Sequence, residues 1–265
     1  MAGNNAVKVT DRPELYDWEY GDFIEDIPMY QKMAGDSLEI LECGIGTGRI
    51  AIPLARKGRL VYGIDNSRPM LDQLKQNLKK EEEAVRNRVY YFEEDMRNFE
   101  LNRKFQFVYV PFSTFNYLLD VDSQLESLSS FRKHLQPEGT LVLELLSFSY
   151  QPFGLIQNKG MEQVKRARST IDKNEIIEMT RRAEFDCVTQ IVKEMRYFNY
   201  YDNDGKLLRE EVVEWVNRFF FLGELECLLK LTGFKIVNIF GDFSLKKKIR
   251  HNSQFAIVKI KINHD

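Results

Sequence analysis

Cysteine and histidine are scarce, with 3 of each in 265 residues. The cysteines, at positions 43, 187 and 227, form no C-x-x-C pair and cannot all be bridged to one another, which points to a reducing compartment. Each reads as a small buried hydrophobe. Long apolar runs are missing too, since no stretch approaches the roughly 18 residues that mark a membrane helix. The N-terminus carries acids where a secretory signal needs a positive and then an apolar segment, so a soluble, cytoplasmic protein with no membrane partner is expected. Charge of one sign is also lacking. With 38 basic and 40 acidic side chains the net charge is −2, which argues against a broad phosphate-binding surface and against nucleic acid as a partner. Two basic clusters, KRAR at Lys165 to Arg168 and KKKIR at Lys246 to Arg250, read as solvated faces, with an anchor for an acidic substrate as the alternative. No Asp-Asp-Asn set has the spacing of a Mg²⁺ site, and no metal is expected.

What is abundant is core-forming material: 43% hydrophobic and 12% aromatic residues, enough for one large α/β domain with an insertion. The most informative stretch is LEILECGIGTGR, Leu38 to Arg49, an apolar strand running through an acid into three alternate glycines. Glycines at 44, 46 and 48 let the backbone turn sharply and let a ligand approach main-chain N–H groups. Asp65 ends the next apolar strand, LVYGID, where a carboxylate can accept from both hydroxyls of a ribose. A dinucleotide fingerprint needs a glycine where Arg49 stands, and a phosphate loop needs Gly-Lys-Ser/Thr after the turn. An adenosine ligand with no phosphate to cradle remains, and S-adenosylmethionine fits that description.

These residues resemble the class I S-adenosylmethionine-dependent methyltransferases, whose first motif reads approximately D/E-x-G-x-G-x-G; the resemblance covers about half the chain, from Tyr16 to Leu146. It implies an α/β, Rossmann-like sheet of order 3-2-1-4-5-7-6, last strand antiparallel, with helices on both faces. It also implies S-adenosyl-L-methionine as cofactor, with Glu42 near its methionine part, Asp65 on the ribose, Asp95 on the adenine amino group and the Met96 N–H on the ring. Gly44, Gly46, Gly48, Arg49, Asn66, Met70 and Pro111 complete the implied cofactor set, and Tyr16 joins it from a lid.

Residues 1 to about 12 lack apolar periodicity and read as a mobile arm. Helical spacing follows Pro13, a segment the resemblance makes a lid over the cofactor, so residues 1–35 are expected to be an arm and helical lid, and 36–148 the cofactor core. Strands are expected at 38–43, 60–65, 88–93, 105–110 and 140–146. Helices are expected over 48–57, after the Ser67 N-cap, and over 122–135, with a turn at QPEG, Gln136 to Gly139, where Gly139 takes a positive φ. An antiparallel β insertion follows the fifth strand over 149–221, with a hairpin turn at Asp202 to Gly205 and Val213, Trp215, Asn217 and Phe219 on one face of a strand. Residues 222–265 supply a helix capped by Gly233 and the last two core strands.

Methyl transfer from a sulfonium is an in-line displacement, so alignment and water exclusion are the protein's main tasks and no universal catalytic side chain is implied. His251, Tyr16 and Tyr150 are the catalytic candidates. Tyr20, Ser113, Asn116, Tyr200 and Arg218 are the substrate-side candidates, each with a structural alternative. His134, late in a helix, is explained by the carbonyl-end dipole. The function expected is methylation of a small-molecule acceptor, nitrogen preferred over oxygen. The alternatives are an RNA or protein methyltransferase and an S-adenosylmethionine-binding protein without turnover, with oxidoreduction a distant fourth. Monomer and homodimer are both compatible with the sequence.

Overall fold

The described residues of the computed structural model, 7–146, 161–251 and 253–264, build two sheets. The chain enters on a short strand, β1 (Val7–Lys8), and a 3₁₀ turn, then forms helices α1 (Pro13–Tyr20) and α2 (Ile27–Ala34). Strand and helix next alternate: β2 (Glu39–Cys43), α3 (Ala51–Arg56), β3 (Leu60–Asp65), α4 (Arg68–Lys79), α5 (Glu83–Arg86), β4 (Val89–Glu93), β5 (Phe105–Val110), α6 (Val121–His134) and β6 (Leu135–Leu146). Four long strands follow, β7 (Glu162–Arg168), β8 (Ile176–Asp186), β9 (Ile191–Tyr201) and β10 (Leu207–Arg218). Helix α7 (Leu222–Leu231) and strands β11 (Phe234–Phe240) and β12 (Phe255–Ile262) end the chain.

The first sheet has the order β11-β12-β6-β5-β2-β3-β4, parallel except that β12 runs against both β6 and β11, which is the order expected. Its central strands β2 and β5 are buried on both faces along most of their length, so they do not alternate apolar and polar residues. Helix α4 shows the local logic: Ser67 accepts from the Met70 N–H at 3.3 Å, Pro69 stands in the first turn, and Met70, Leu71, Leu74 and Leu78 bury one stripe.

The second sheet, β1-β10-β9-β8-β7, is antiparallel except where β1 joins β10. Alternation now governs. Val213, Trp215, Asn217 and Phe219 are buried while Val212, Glu214, Val216 and Arg218 between them are only partly so, and Ile177, Met179, Phe198 and Tyr200 extend the covered face over Leu15 and Trp18 of α1. Asp202 to Gly205 makes the expected hairpin turn, with Gly205 at φ +84°.

Several expectations are corrected. Residues 7–12 are not a free arm: Val7 and Lys8 pair with Val213 and Glu214, Val9 is buried, and the Thr10 carbonyl accepts from Ser67. The helix after the glycines starts at Ala51, because residues 44–50 are used by the turn. Residues 136–139 do not form a separate turn, and Gly139 has no positive φ. Strand β6 begins at Leu135 and absorbs them in a register shift, and a Cβ on Gly139 would meet Leu135 Cδ1 at 2.7 Å. Cys43 is buried as expected, whereas Cys187 and Cys227 are exposed. No helix of the described residues is long and apolar enough to cross a membrane.

Candidate functional site

A cleft of about 500 Å³ opens at the carboxyl ends of β2, β3 and β5, where ligands bind in open α/β sheets. The glycine turn forms its floor. Gly44, Gly46 and Gly48 have φ of +85°, +54° and +87°, values that side chains resist. A Cβ on Gly44 would lie 2.4 Å from Thr114 and one on Gly48 2.4 Å from Leu74, so these glycines admit close packing of neighbouring elements. Gly48 therefore packs the turn on α4 and does not line the cleft. Asp65 is held by two backbone donors, Gly46 N–H at 2.8 Å on Oδ2 and Ser67 N–H at 2.9 Å on Oδ1. Each oxygen keeps lone-pair capacity for a ribose hydroxyl. Burial raises the Asp65 carboxyl above its usual range, against both backbone bonds. Asp95 lines the same end beside Asn66, Met70 and Met96, and its carboxyl is held below the usual range chiefly by Arg97, paired at 2.6 Å.

At the other end three acids lie under the turn. Glu42 accepts from Tyr109 at 2.7 Å, and burial lifts its carboxyl to about 8. Glu144 of β6 accepts from the Tyr30 hydroxyl of α2, and burial lifts it to about 7. Asp26, fully buried ahead of α2, is met by both Arg49 guanidinium nitrogens at 2.9 and 2.6 Å. Arg49 also donates to the Phe23 carbonyl at 2.8 Å, which fastens the segment between α1 and α2 to the glycine turn. Tyr16 lines this end, its phenol raised to about 12 by burial in spite of the Arg49 charge.

The side of the cleft toward the second sheet is lined by Phe112, Tyr117, Trp215 and Val216. Pro111, expected in the cofactor set, and Thr114 border it, but the expected substrate residues Tyr20, Ser113, Asn116, Tyr200 and Arg218 do not. Asn116 donates to the Arg218 carbonyl at 2.7 Å and accepts from Leu146 N–H at 3.3 Å, joining β10 to β6. Arg218 pairs with Glu224 at 2.7 Å at the start of α7. Tyr200 packs under the second sheet with the Arg209 guanidinium 3.7 Å from its ring. Ser113 is buried off the cleft, and Tyr20 packs on Phe112 and Trp215 behind it. His251 is exposed and does not line the cleft, and Tyr150 lies outside the described residues. His134 Nε2 accepts from Leu101 N–H at 3.1 Å while Nδ1 faces the Ser130 carbonyl at 2.8 Å, an arrangement of a neutral ring.

The KRAR cluster is engaged within the protein: Lys165 donates to the Trp18 and Glu19 carbonyls, Arg166 pairs with Glu178, and Arg168 donates to Lys173 and Asn203. Among the described residues no group of three or more His, Cys, Asp or Glu could hold a metal ion. Sequence reasoning missed Asp26, Tyr30, Tyr109, Phe112 and Glu144. A buried acid on a strand, as in VLELL, was the available signal for Glu144.

A family model described as "Methyltransferase domain" matches residues 40–139. The cypemycin N-terminal methyltransferase of a Streptomyces species is 32% identical over 110 residues, 41% of this chain and 42% of that protein. The chain thus aligns with less than half the length of the curated relatives it matches. Among solved structures, the CcbJ methyltransferase of Streptomyces caelestis superposes with a TM-score of 0.69 at 22% identity, covering 90% of this chain and 88% of that one. The SAM-bound CalS10 amino pentose methyltransferase of Micromonospora echinaspora gives 0.70 at 19% identity, covering 98% and 100%. Residues 40–139 match the methyltransferase-domain family, and the chain shares the fold of solved S-adenosylmethionine-dependent methyltransferases.

Proposed function

We propose that this protein transfers the methyl group of S-adenosylmethionine to the nitrogen of a small-molecule amine. The observation that carries the acceptor is the aromatic lining: Tyr16, Phe112, Tyr117 and Trp215 all border the cleft. Nitrogen gains positive charge as the methyl arrives, and a ring face in a desolvated site stabilises a cation by about 0.5–2 kcal/mol. Two of the similar proteins are named for N-terminal and amino pentose methylation, which supports nitrogen.

In this reading residues 36–148 are the cofactor core, 1–35 the lid, 149–221 the acceptor-side insertion, and 222–265 complete the core. Asp65 holds the ribose, Asn66, Met70, Asp95 and Met96 the adenine, and Glu42 with Gly44 and Gly46 the methionine part. Tyr16, Arg49 and Pro111 close the reacting end. Bound S-adenosylmethionine supplies the activated methyl as a sulfonium. The chain's own residues orient the amine and keep water out beneath α1 and the second sheet.

Calorimetric titration with S-adenosylmethionine tests the pocket. Asp65→Ala should weaken binding by about tenfold or more, the loss of two charge-assisted hydrogen bonds. Unaltered affinity would overturn the assignment. Methyl-labelled cofactor incubated with amine-enriched and amine-depleted fractions of a metabolite extract tests the acceptor, and label found in O-methyl products alone would remove nitrogen.

A further inference from the structure

The loop after β5 is held in a conformation its residues do not favour. Phe112 has φ +51° and Ser113 φ +58°, in the left-handed region where side-chain-bearing residues pay about 1–2 kcal/mol each. Glu144 restrains both. Its Oε2 accepts from Phe112 N–H at 2.9 Å, and its main-chain carbonyl accepts from Ser113 N–H at 3.1 Å. Oε2 also accepts from the Tyr30 hydroxyl, while Oε1 is buried with no hydrogen-bond partner. A carboxyl in this position costs desolvation that an apolar residue of similar size would avoid.

The Phe112 ring is the meeting point of three parts of the molecule. Tyr20 of α1 packs edge-on at 4.7 Å and Tyr16 at 6.1 Å, Phe23 lies at 6.0 Å, and the Arg49 guanidinium sits 4.7 Å from the ring centre. The same ring borders the cleft. Two local costs, strained backbone and a half-satisfied buried acid, converge on one cleft-lining side chain. Such coincidences belong to sites where geometry matters more than stability.

We propose that Phe112 is the wall against which the acceptor amine lies, and that Glu144 is the positioning residue that sets this wall and ties it, through Tyr30, to the lid. The proposal rests on the methyltransferase reading of the cleft. It makes the acceptor loop and the lid one unit, so that the aromatic wall is in place only when the lid is.

The two tryptophans allow the unit to be read directly, because Trp215 packs on Tyr20 and Trp18 on Phe198 of the same cluster. S-adenosylhomocysteine is titrated by calorimetry and by tryptophan fluorescence, and acceptor KM is measured with the amine-enriched extract fraction and labelled cofactor. Glu144→Leu should bind S-adenosylhomocysteine within about threefold of the parent, lose at least about half of the fluorescence response, and raise acceptor KM about tenfold. Glu144→Gln should restore both readouts, since its amide oxygen can take the Oε2 position and accept from both Phe112 N–H and the Tyr30 hydroxyl, with the amide nitrogen where Oε1 has no partner. A Glu144→Leu protein with a lower Tm but unmoved fluorescence response and KM would overturn the proposal. If Glu144→Leu does not fold, Phe112→Leu carries the test, because it keeps the backbone bonds and removes only the ring. An unchanged acceptor KM there overturns the wall. Absence of S-adenosylhomocysteine binding to the parent protein would instead defeat the methyltransferase reading itself.

Discussion

Two pairs of buried carboxylates, one in each of two regions of this molecule, are neutralised by different means, while Asp26 of the cleft region has an arginine of its own. Under the cofactor cleft, Glu42 and Glu144 face tyrosine hydroxyls, Tyr109 and Tyr30. Behind the second sheet, Glu19 and Glu194 converge on Arg196 at 2.5 Å each, and the Arg196 guanidinium lies 3.7 Å from the Trp215 ring. A hydroxyl donates one hydrogen bond and carries no charge, so burial dominates and the two cleft acids rise to about 8 and about 7. A guanidinium opposes burial with a full charge. Burial still lifts Glu19, but Arg196 pulls it back and is itself held protonated. Glu42 and Glu144 can therefore exchange protons near neutrality, whereas the Arg196–Glu19 pair ties α1 to β9.

The strongest way to break this contrast is Arg196→Met. It leaves Glu19 without a cation, facing Glu194 whose remaining partner Arg181 stands at 3.6 Å, in a site 5–13% exposed, and should cost about 3–5 kcal/mol. Thermal unfolding should show a Tm lower by on the order of 10 °C. Arg166→Met, which breaks an ion pair whose arginine is 50% exposed, should cost no more than about 1 kcal/mol. Equal losses in the two variants would show that the buried cluster is not the tie described.

A smaller effect sharpens the other half of the comparison. The folded-state pKa of Glu42 lies above its unfolded value, so between about pH 4.5 and 8 the folded protein binds more protons than the unfolded chain. The stability contributed by the protonated carboxyl is present at the acid end of that window and is lost as pH rises through about 8, and Glu144 loses its share nearer pH 7. The protein should unfold more readily at pH 8.5 than at pH 5.5. Glu42→Gln keeps the shape and cannot ionise, so it should shrink this difference in Tm. An undiminished difference would mean that the Tyr109 hydroxyl holds Glu42 as a carboxylate throughout.

The cofactor half of the molecule was legible in the sequence because its signals are local. Strands β3 and β5, the Ser67 cap and the glycine turn are each specified within a dozen residues; the strand pattern placed Asp65 beside that turn, and the family resemblance placed Asp95 in the same cleft. Glu144 and Arg196 were not legible, since their partners stand 114 and 177 residues away and only the packed tertiary structure selects them. Asn116 and Arg218 were read as substrate-facing because polar side chains near a cleft look alike in sequence. The structure uses them on backbone carbonyls and on Glu224 instead. Strand β1 escaped notice because two residues carry no period, and its parallel pairing depends on β10 more than 200 positions later.

The smallest effect concerns strain. Ser113 takes φ +58° and donates its N–H to the Glu144 carbonyl, and neither feature needs its side chain. Ser113→Gly should therefore relieve the left-handed penalty and raise stability by about 0.5–1 kcal/mol, a Tm gain of about 2 °C. Glycine also frees the loop to leave the position that Glu144 imposes, so acceptor KM should rise about twofold to threefold while S-adenosylhomocysteine affinity stays constant. Asn102 has φ +49° on a loop away from the cleft, and asparagine tolerates this region. Asn102→Gly should change stability by only a few tenths of a kcal/mol and leave KM unmoved. A stabilised Ser113→Gly protein with unchanged KM would show that the strain at this loop serves the fold and not the acceptor, because the same relief would then have been available at no cost to turnover.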